Sequence, residues 1–254
     1  MRRNNLVLIT IILTIISCKG ILNSEKNIVM KNLDGNSVYI EKKETIKKPL
    51  NKIIAGGNFE IIVDYDESNN DKIIFTVDNN LIKYLNYKIQ NGTLYLKYDM
   101  PKNTNVNFTK NKVLINISKP ISNIEINDNA RIDLNLNPNM SSFNISQKGN
   151  SKVNLKCTSI NSINIKSEGN SKSKLSGLVN IFEIENSNNS EINGEKLIAS
   201  KAILKNKNLG EITLTVLDEL KSVNSKLGKI TFFSNGNTIK NIDKIGNYIE
   251  KHVK

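Results

Sequence analysis

Three basic side chains recur at one place in a repeated string, and with a fourth close by they could together bind an anion. Arg131, Lys152 and Lys172 are 21 and 20 residues apart, and Lys174 lies two positions beyond Lys172. If each string is a strand in a parallel stack, neighbouring copies lie about 4.8 Å apart. Like charges at that distance repel by roughly 1 kcal/mol in water, so a bound anion would stabilise them. The functional interpretation is a site for acidic polysaccharide or another polyanion, and the alternative is the solvated face of a lysine-rich protein.

Catalytic chemistry has little support in the same sequence. The only histidine, His252, is third from the end, so a Ser-His or Cys-His pair would depend on a terminal side chain. Cys157 lies in phase with inward-pointing apolar residues, which indicates a buried structural thiol. Arg131 with Asp128 and Asp133 is the nearest set that a polysaccharide depolymerase could use, although such close neighbours more simply form a surface ion pair. We predict no catalytic residues, no metal ligands and no cofactor.

The basic residues must be positioned by a repeat that runs through the second half of the chain. One copy reads Asn150-Ser151-Lys152-Val153-Asn154-Leu155, and a small residue marks the same place in every copy. The steps between copies are 18 to 21 residues. The seven small residues are Ala130, Ser151, Ser171, Ser190, Gly210, Gly228 and Gly246.

Each repeat unit contains two alternating apolar segments and a turn, which is too little to bury its own apolar face. Stacking the units as parallel strands would create a continuous interior, as in a β-solenoid. All four prolines precede the fully regular copies, as expected where every strand must donate to a ladder. The sequence therefore predicts an all-β parallel β-helix with rungs of about 18–21 residues, and a β-sandwich is the alternative.

Asparagines precede the small residue in four successive copies. An asparagine there can adopt the left-handed conformation of a turn, and stacked amides can hydrogen-bond along the axis. Glycine replaces the small residue in the last three copies, which we attribute to a tighter turn as the step shortens. We predict a structural turn ladder of Asn129, Asn150, Asn170, Asn189, Gly210, Gly228 and Gly246.

The beginning of the chain has the features of a lipoprotein leader. Arg2 and Arg3 precede an apolar run that is too short to be a stable membrane anchor. The run ends in Ser17-Cys18, which resembles the bacterial lipobox, whose cysteine is acylated and becomes the new N-terminus. We predict a signal peptide over 1–17 and a lipid bilayer anchor at Cys18; the alternative is an ordinary secretory signal. Lys19 after the cysteine favours the outer membrane.

Composition and order divide the remaining chain. The formal net charge of +12 is mixed with acidic residues and is no nucleic-acid signature, so no nucleic-acid partner is expected. Residues 18–52 are polar and charge-rich and are predicted to be a lipidated tether. Residues 53–254 are predicted to form one β-helical domain, irregular over 53–118 and regular over 119–250.

The chain resembles the adhesin-head family of secreted bacterial proteins called the GIN or auto-transporter-head domain. The likeness lies in Ala55-Gly56-Gly57-Asn58-Phe59-Glu60-Ile61, in Asn91-Gly92-Thr93-Leu94-Tyr95-Leu96 and in the repeats through Gly246, and covers about 53–249. The resemblance implies a right-handed parallel β-helix, carried on lipoproteins or secreted proteins, without established catalytic residues.

We therefore predict a lipid-anchored, extracytoplasmic protein of the bacterial envelope, at the outer membrane or cell surface, with a non-catalytic adhesin-like head. Its expected partners are the bilayer and an acidic polysaccharide or another envelope protein. A periplasmic scaffold or stress-sensing accessory protein is the alternative, and a polysaccharide depolymerase is a third.

Overall fold

The computed structural model describes residues 30–68, 70–136, 140–243 and 245–252. The described residues form 19 strands and one short 3-10 turn, Ile82–Tyr84, and contain no α-helix. The strands are β1 Lys31–Asp34, β2 Tyr39–Thr45, β3 Lys52–Ala55, β4 Glu60–Tyr65, β5 Lys72–Asp78, β6 Leu85–Gln90, β7 Thr93–Tyr98, β8 Thr104–Asn107, β9 Asn111–Ile117, β10 Asn123–Ile126, β11 Arg131–Leu136, β12 Met140–Gln147, β13 Lys152–Ser167, β14 Lys172–Asn186, β15 Glu191–Asn206, β16 Glu211–Asn224, β17 Lys229–Ser234, β18 Ile239–Ile242 and β19 Asn247–His252.

The strands wind into a β-solenoid of about six turns, which confirms the predicted fold. Each turn contributes one segment to each of two faces, and β13 to β16 are long because each bends from one face to the other. Face A contains β3, β7, β10, β12, the second halves of β13 to β16, and β18. Face B contains β4, β9, β11, the first halves of β13 to β16, β17 and β19. Neighbouring segments pair in parallel, so the β-sandwich alternative is excluded.

The interior follows from the alternation of apolar and polar residues. Side chains alternate across a strand, so every second residue of a rung points inward. Residues in register on successive rungs therefore form buried columns, and a slip by one residue would expose a whole column. On face A one such column is Phe143, Ile163, Phe182, Ala202 and Leu220.

A curled half-barrel closes the N-terminal end of the solenoid. There β5 pairs antiparallel with β9 and β2, and β6 pairs antiparallel with β7. The described part of the stretch predicted as a tether thus contains two strands, because β2 covers β5 and β1 pairs with β8. Strand β2 is rich in charge, which suits an edge that faces water. Its Lys42 ammonium lies 4.7 Å from the centre of the Tyr87 ring.

Candidate functional site

The four predicted basic residues come together on face B. Arg131, Lys152 and Lys172 are in register on three successive rungs, and Lys174 projects from the next outward column. The first column continues along the face in the order predicted from the repeat. Its later members are Glu191, Glu211, Lys229 and Asn247.

Acidic neighbours neutralise part of this basic column. Arg131 Nε lies 3.6 Å from Asp133 Oδ2, and Glu60 is in register with Arg131 on the preceding rung. Lys172 Nζ lies 2.8 Å from Glu191 Oε2, which raises the pKa of Lys172. Lys152 and Lys174 form no ion pair with any described residue. These two lysines therefore provide the positive charge that is left for an anion.

The predicted asparagine column is an exposed ladder at the corner between the faces. Each Nδ2 donates to the Oδ1 of the previous member at 2.9 to 3.2 Å, and the ladder begins at Asn58 rather than at Asn129. The left-handed conformation lies one residue earlier in each turn than predicted. The residues with positive φ at this corner are Gly57, Asp128, Gly149, Gly169, Asn188 and Asn208.

A second asparagine ladder lies inside the same corner. Asn186, Asn206 and Asn224 are buried, and their amides are joined at 3.0 and 2.9 Å. Each Nδ2 also donates to the main-chain carbonyl four residues later, for example from Asn206 to Gly210 at 2.6 Å. A Cβ on Gly210 would collide with the amides of Asn186 and Asn206. The inner ladder, rather than a tighter turn, is thus the structural reason for the late glycines.

An open groove of about 490 Å³ crosses face A. One column of its floor is Asn123, Asn144 and Asn164, which are half-buried and lie in register on successive rungs. Their amides are joined at 3.0 and 3.1 Å, and Asn123 Nδ2 donates to Ser122 Oγ at 2.7 Å. The column extends to Lys52 on one side and to Glu183 and Ile203 on the other. The groove therefore spans six rungs of the solenoid.

The parallel outward column of the groove carries charges of both signs. Its members in order are Glu125, Ser146, Lys166, Glu185 and Lys205. Lys52 Nζ lies 3.1 Å from Glu125 Oε2, and Lys166 Nζ lies 3.9 Å from Glu185 Oε2. The lining residues include three lysines and three glutamates, so their formal charges sum to zero.

Exposed aliphatic side chains replace the outer asparagine ladder near the C-terminal end. By the register of the flanking strands, Leu209, Leu227 and Ile245 continue the column of Asn189. Leu227 and Ile245 are each 71% exposed. This change from amides to aliphatic groups makes the last turns chemically different from the rest of the corner.

The residues considered for catalysis are held in structural contacts. Asp128 Oδ2 accepts from the Gly57 main-chain N–H at 2.9 Å, and Asp133 pairs with Arg131 at the surface. Cys157 is half-buried, and its burial raises the pKa of the thiol to about 11, so the thiol stays protonated at neutral pH. Over the described ranges, no three His, Cys, Asp or Glu side chains are grouped so as to hold a metal ion. No helix there is long and apolar enough to cross a membrane.

Sequence reasoning missed both the groove and the inner ladder. The inner ladder has a recognisable signal, since Asn206 and Asn224 each precede a repeat glycine by four residues and Asn186 precedes Ser190 in the same way. The groove ladder has a weaker one, because Asn123, Asn144 and Asn164 recur at steps of 21 and 20 among many other asparagines. The groove itself has no local signature in the sequence, because residues of six different rungs line it.

The chain is thus a parallel β-solenoid built from repeats, with an open groove across six of its rungs. Residues 49–236 match the family described as "Putative auto-transporter adhesin, head GIN domain". The chain belongs to this family, as the resemblance indicated. Family membership makes it an adhesin-like head domain and indicates an extracellular or cell-surface, non-catalytic role.

Solved structures with the same fold come from Bacteroides and Parabacteroides species. A "putative adhesin" from Bacteroides fragilis is 20% identical, with a TM-score of 0.74 over 87% of this chain and 100% of that one. A "putative lipid binding protein" from Parabacteroides distasonis is 19% identical, with a TM-score of 0.67 over 88% and 100%. A "putative adhesin" from Parabacteroides merdae is 24% identical, with a TM-score of 0.59 over 88% and 100%. No curated protein sequence matches the chain significantly.

Proposed function

We propose that the chain is a lipid-anchored protein of the bacterial envelope whose solenoid binds an extended polymer without modifying it. The observation that carries this proposal is the face A groove, which crosses six rungs and is open to solvent along them. A groove of this shape suits a chain-like ligand better than a compact one. The adhesin-like family supports a role in attachment.

The location of the head on intact cells tests this proposal. If the protein is an adhesin, protease shaving or antibody labelling of intact cells reaches the solenoid, and deletion of the protein reduces attachment to a polymer-coated surface. If the solenoid is protected until the outer layers are opened, the surface function is wrong.

Lipid anchoring rests on Cys18, which lies outside the described residues. Replacing Cys18 by serine is expected to abolish labelling by radioactive palmitate and to move the chain from the membrane fraction to the soluble fraction, because acylation supplies the only predicted anchor. Cys157→Ser is the matched control and is expected to keep both label and membrane association. Equal labelling of the wild type and the Cys18 variant would contradict the anchor.

The exposed aliphatic column favours a second candidate function, a periplasmic scaffold that binds another protein through its C-terminal turns. Leu227 and Ile245 are large apolar side chains with little cover from described residues. This candidate requires a protected, periplasmic location, so the labelling of intact cells separates it from the adhesin.

The basic column of face B remains a proposed polyanion site. Converting Lys152, Lys172 and Lys174 together to serine is expected to weaken binding to heparin or teichoic acid roughly tenfold at low salt. Loss of the ion pairs that Lys152 and Lys174 make with the anion, at about 0.5 kcal/mol each, and repulsion of the anion by Glu191 once Lys172 no longer neutralises it together account for that factor. Surface plasmon resonance at rising salt measures the loss, and the binding of the wild type should itself fall as salt screens the charges.

A charge-matched variant controls for the general loss of positive charge. Lys88, Lys119 and Lys226 are exposed and lie on separate parts of the fold. Their conversion to serine removes the same net charge and should change binding by less than about threefold, because none contacts the column. Equal losses in the two triple variants would show that only net charge matters and would eliminate the site.

A further inference from the structure

We infer that the face A groove binds a single extended, uncharged polyhydroxyl chain, such as a neutral polysaccharide, and that Asn123, Asn144 and Asn164 read its hydroxyl groups. This inference rests on the proposed function of the groove and specifies its ligand class. The dimensions, the free hydrogen-bonding groups and the charge balance of the groove each point to this class.

The dimensions fit one chain. From Lys52 to Ile203 the floor column crosses five inter-rung steps, which at about 4.8 Å each give a length of about 24 Å. The floor is two outward columns wide, and columns two residues apart along a strand are separated by about 6.6 Å. A floor of that width holds one extended chain, whereas a folded partner or a bundle of chains does not fit it.

The amides of the groove ladder offer the pair of groups that a hydroxyl needs. A side-chain amide has two N–H donors and two acceptor positions. The ladder uses one N–H of each asparagine and one acceptor position of Asn123 and Asn144. Each residue therefore keeps at least one donor and one acceptor with no partner among the described residues, and a hydroxyl both accepts and donates. The same pair is repeated on every rung of the ladder.

Other extended ligands suit the groove less well. An added peptide strand needs free main-chain groups, but each floor strand of the ladder pairs with a neighbouring rung on both sides. An acyl chain would cover the amides without satisfying them, which costs free energy. A polyanion gains no net attraction, because the lysines that line the groove are balanced by glutamates.

Ser146 gives a way to block the groove without touching the ladder. It is half-buried and points outward between Glu125 and Lys166 on adjacent rungs. Tyrosine is favoured in strands, so Ser146→Tyr should fold while its ring fills the middle of the groove. Thr213 is the matched control, since it is a half-buried outward residue on face B. Thr213→Tyr adds the same ring to the opposite face.

The experiment measures binding of the full chain to neutral hexose oligosaccharides of two to eight units by calorimetry. Polygalacturonate and a fatty acid serve as the charged and apolar probes. We expect neutral oligosaccharides to bind with an affinity that rises with length until the groove is filled and that is insensitive to salt. Ser146→Tyr should weaken binding at least tenfold, Asn144→Ala about fivefold, and Thr213→Tyr less than twofold.

Three results would overturn the inference: binding of polygalacturonate alone with strong salt dependence, binding of the fatty acid alone, or equal losses in the two tyrosine variants. Failure of the inference is distinct from failure of the proposed function. One outcome is that cell labelling finds the head at the surface while free neutral oligosaccharides fail to inhibit the attachment of the cells. In that case the ligand class is wrong and the adhesin function stands. If the head is periplasmic, the adhesin function is wrong whatever the groove binds.

Discussion

Replacing Asn206 by alanine is expected to lower the free energy of unfolding by roughly 3 kcal/mol. The Asn206 side chain is 2% exposed, accepts from Asn186 Nδ2 at 3.0 Å, and donates to Asn224 Oδ1 and to the Gly210 carbonyl. Its removal leaves the Asn224 and Gly210 oxygens without that donor inside the corner. Each buried polar group left unpaired costs about 1 to 3 kcal/mol. Urea unfolding followed by circular dichroism measures the change as a lower midpoint.

The exposed ladder supplies the matched control for this prediction. Asn170 makes the same axial amide contacts, donating to Asn150 at 3.2 Å and accepting from Asn189 at 3.2 Å, but it is exposed to water. Water replaces the lost contacts there, so Asn170→Ala should cost less than about 0.5 kcal/mol. Similar losses in the two variants would mean that stacking of amides, and not their burial, stabilises the corner.

The contrast between the two ladders shows what the repeat pattern could predict. Small residues at steps of 18 to 21 were sufficient to predict stacked parallel rungs, because residues in register on successive rungs occupy equivalent positions and therefore tend to be of the same type. The outward order on face B, from Arg131 to Asn247, followed from that register alone. The periodicity could not show whether an asparagine at the corner is buried or exposed, because side chains in a turn do not alternate between inward and outward as they do along a strand.

The candidate site was harder to predict than the fold for two physical reasons. The basic residues form a column that continues to Glu191 as expected, but Glu60 joins it from a strand of the irregular region that shares no repeat with the later copies. The groove depends on the shape of a whole face, and shape is a property of many rungs together. The N-terminal half-barrel could not be predicted either, because its antiparallel strands share no sequence repeat with the solenoid.

The N-terminal closure depends on one buried carboxylate. Asp78 is 0% exposed and accepts from the main-chain N–H groups of Ser37, Thr109 and Lys110 at 3.1, 2.8 and 3.1 Å, and also from the Thr109 hydroxyl. Gly35 packs so closely on the carboxylate that a side chain there would have no room. Asp78 thus joins the segment before β2 to the turn before β9. If the chain is anchored through Cys18, this junction lies between the anchor and the head.

Asp78→Asn is expected to lower the free energy of unfolding by roughly 3 kcal/mol at pH 7, because the amide presents an N–H₂ group to donors that need an acceptor. Burial raises the pKa of Asp78, but the four hydrogen bonds outweigh it and leave the pKa below its usual value. A carboxylate with a lowered pKa stabilises the folded state above about pH 4 and loses that contribution as pH falls through the folded pKa. The difference in the free energy of unfolding between the wild type and Asp78→Asn should therefore be constant from pH 7 to about pH 5 and should disappear below about pH 4.

Asp66→Asn is the matched control for the pH series, since Asp66 also accepts from a main-chain N–H and a hydroxyl, both of Ser68, and also has a lowered pKa. Asp66 is exposed, so water replaces its hydrogen bonds and its replacement should leave the denaturant midpoint almost unchanged at every pH. Denaturant midpoints measured from pH 3 to pH 8 compare the three proteins. A gap for Asp78→Asn that persists at pH 3 would show that the shape of the site, and not its negative charge, holds the N-terminal segment. In that case packing around Gly35 would hold the N-terminal segment in place, and the charge of Asp78 would contribute nothing to the junction.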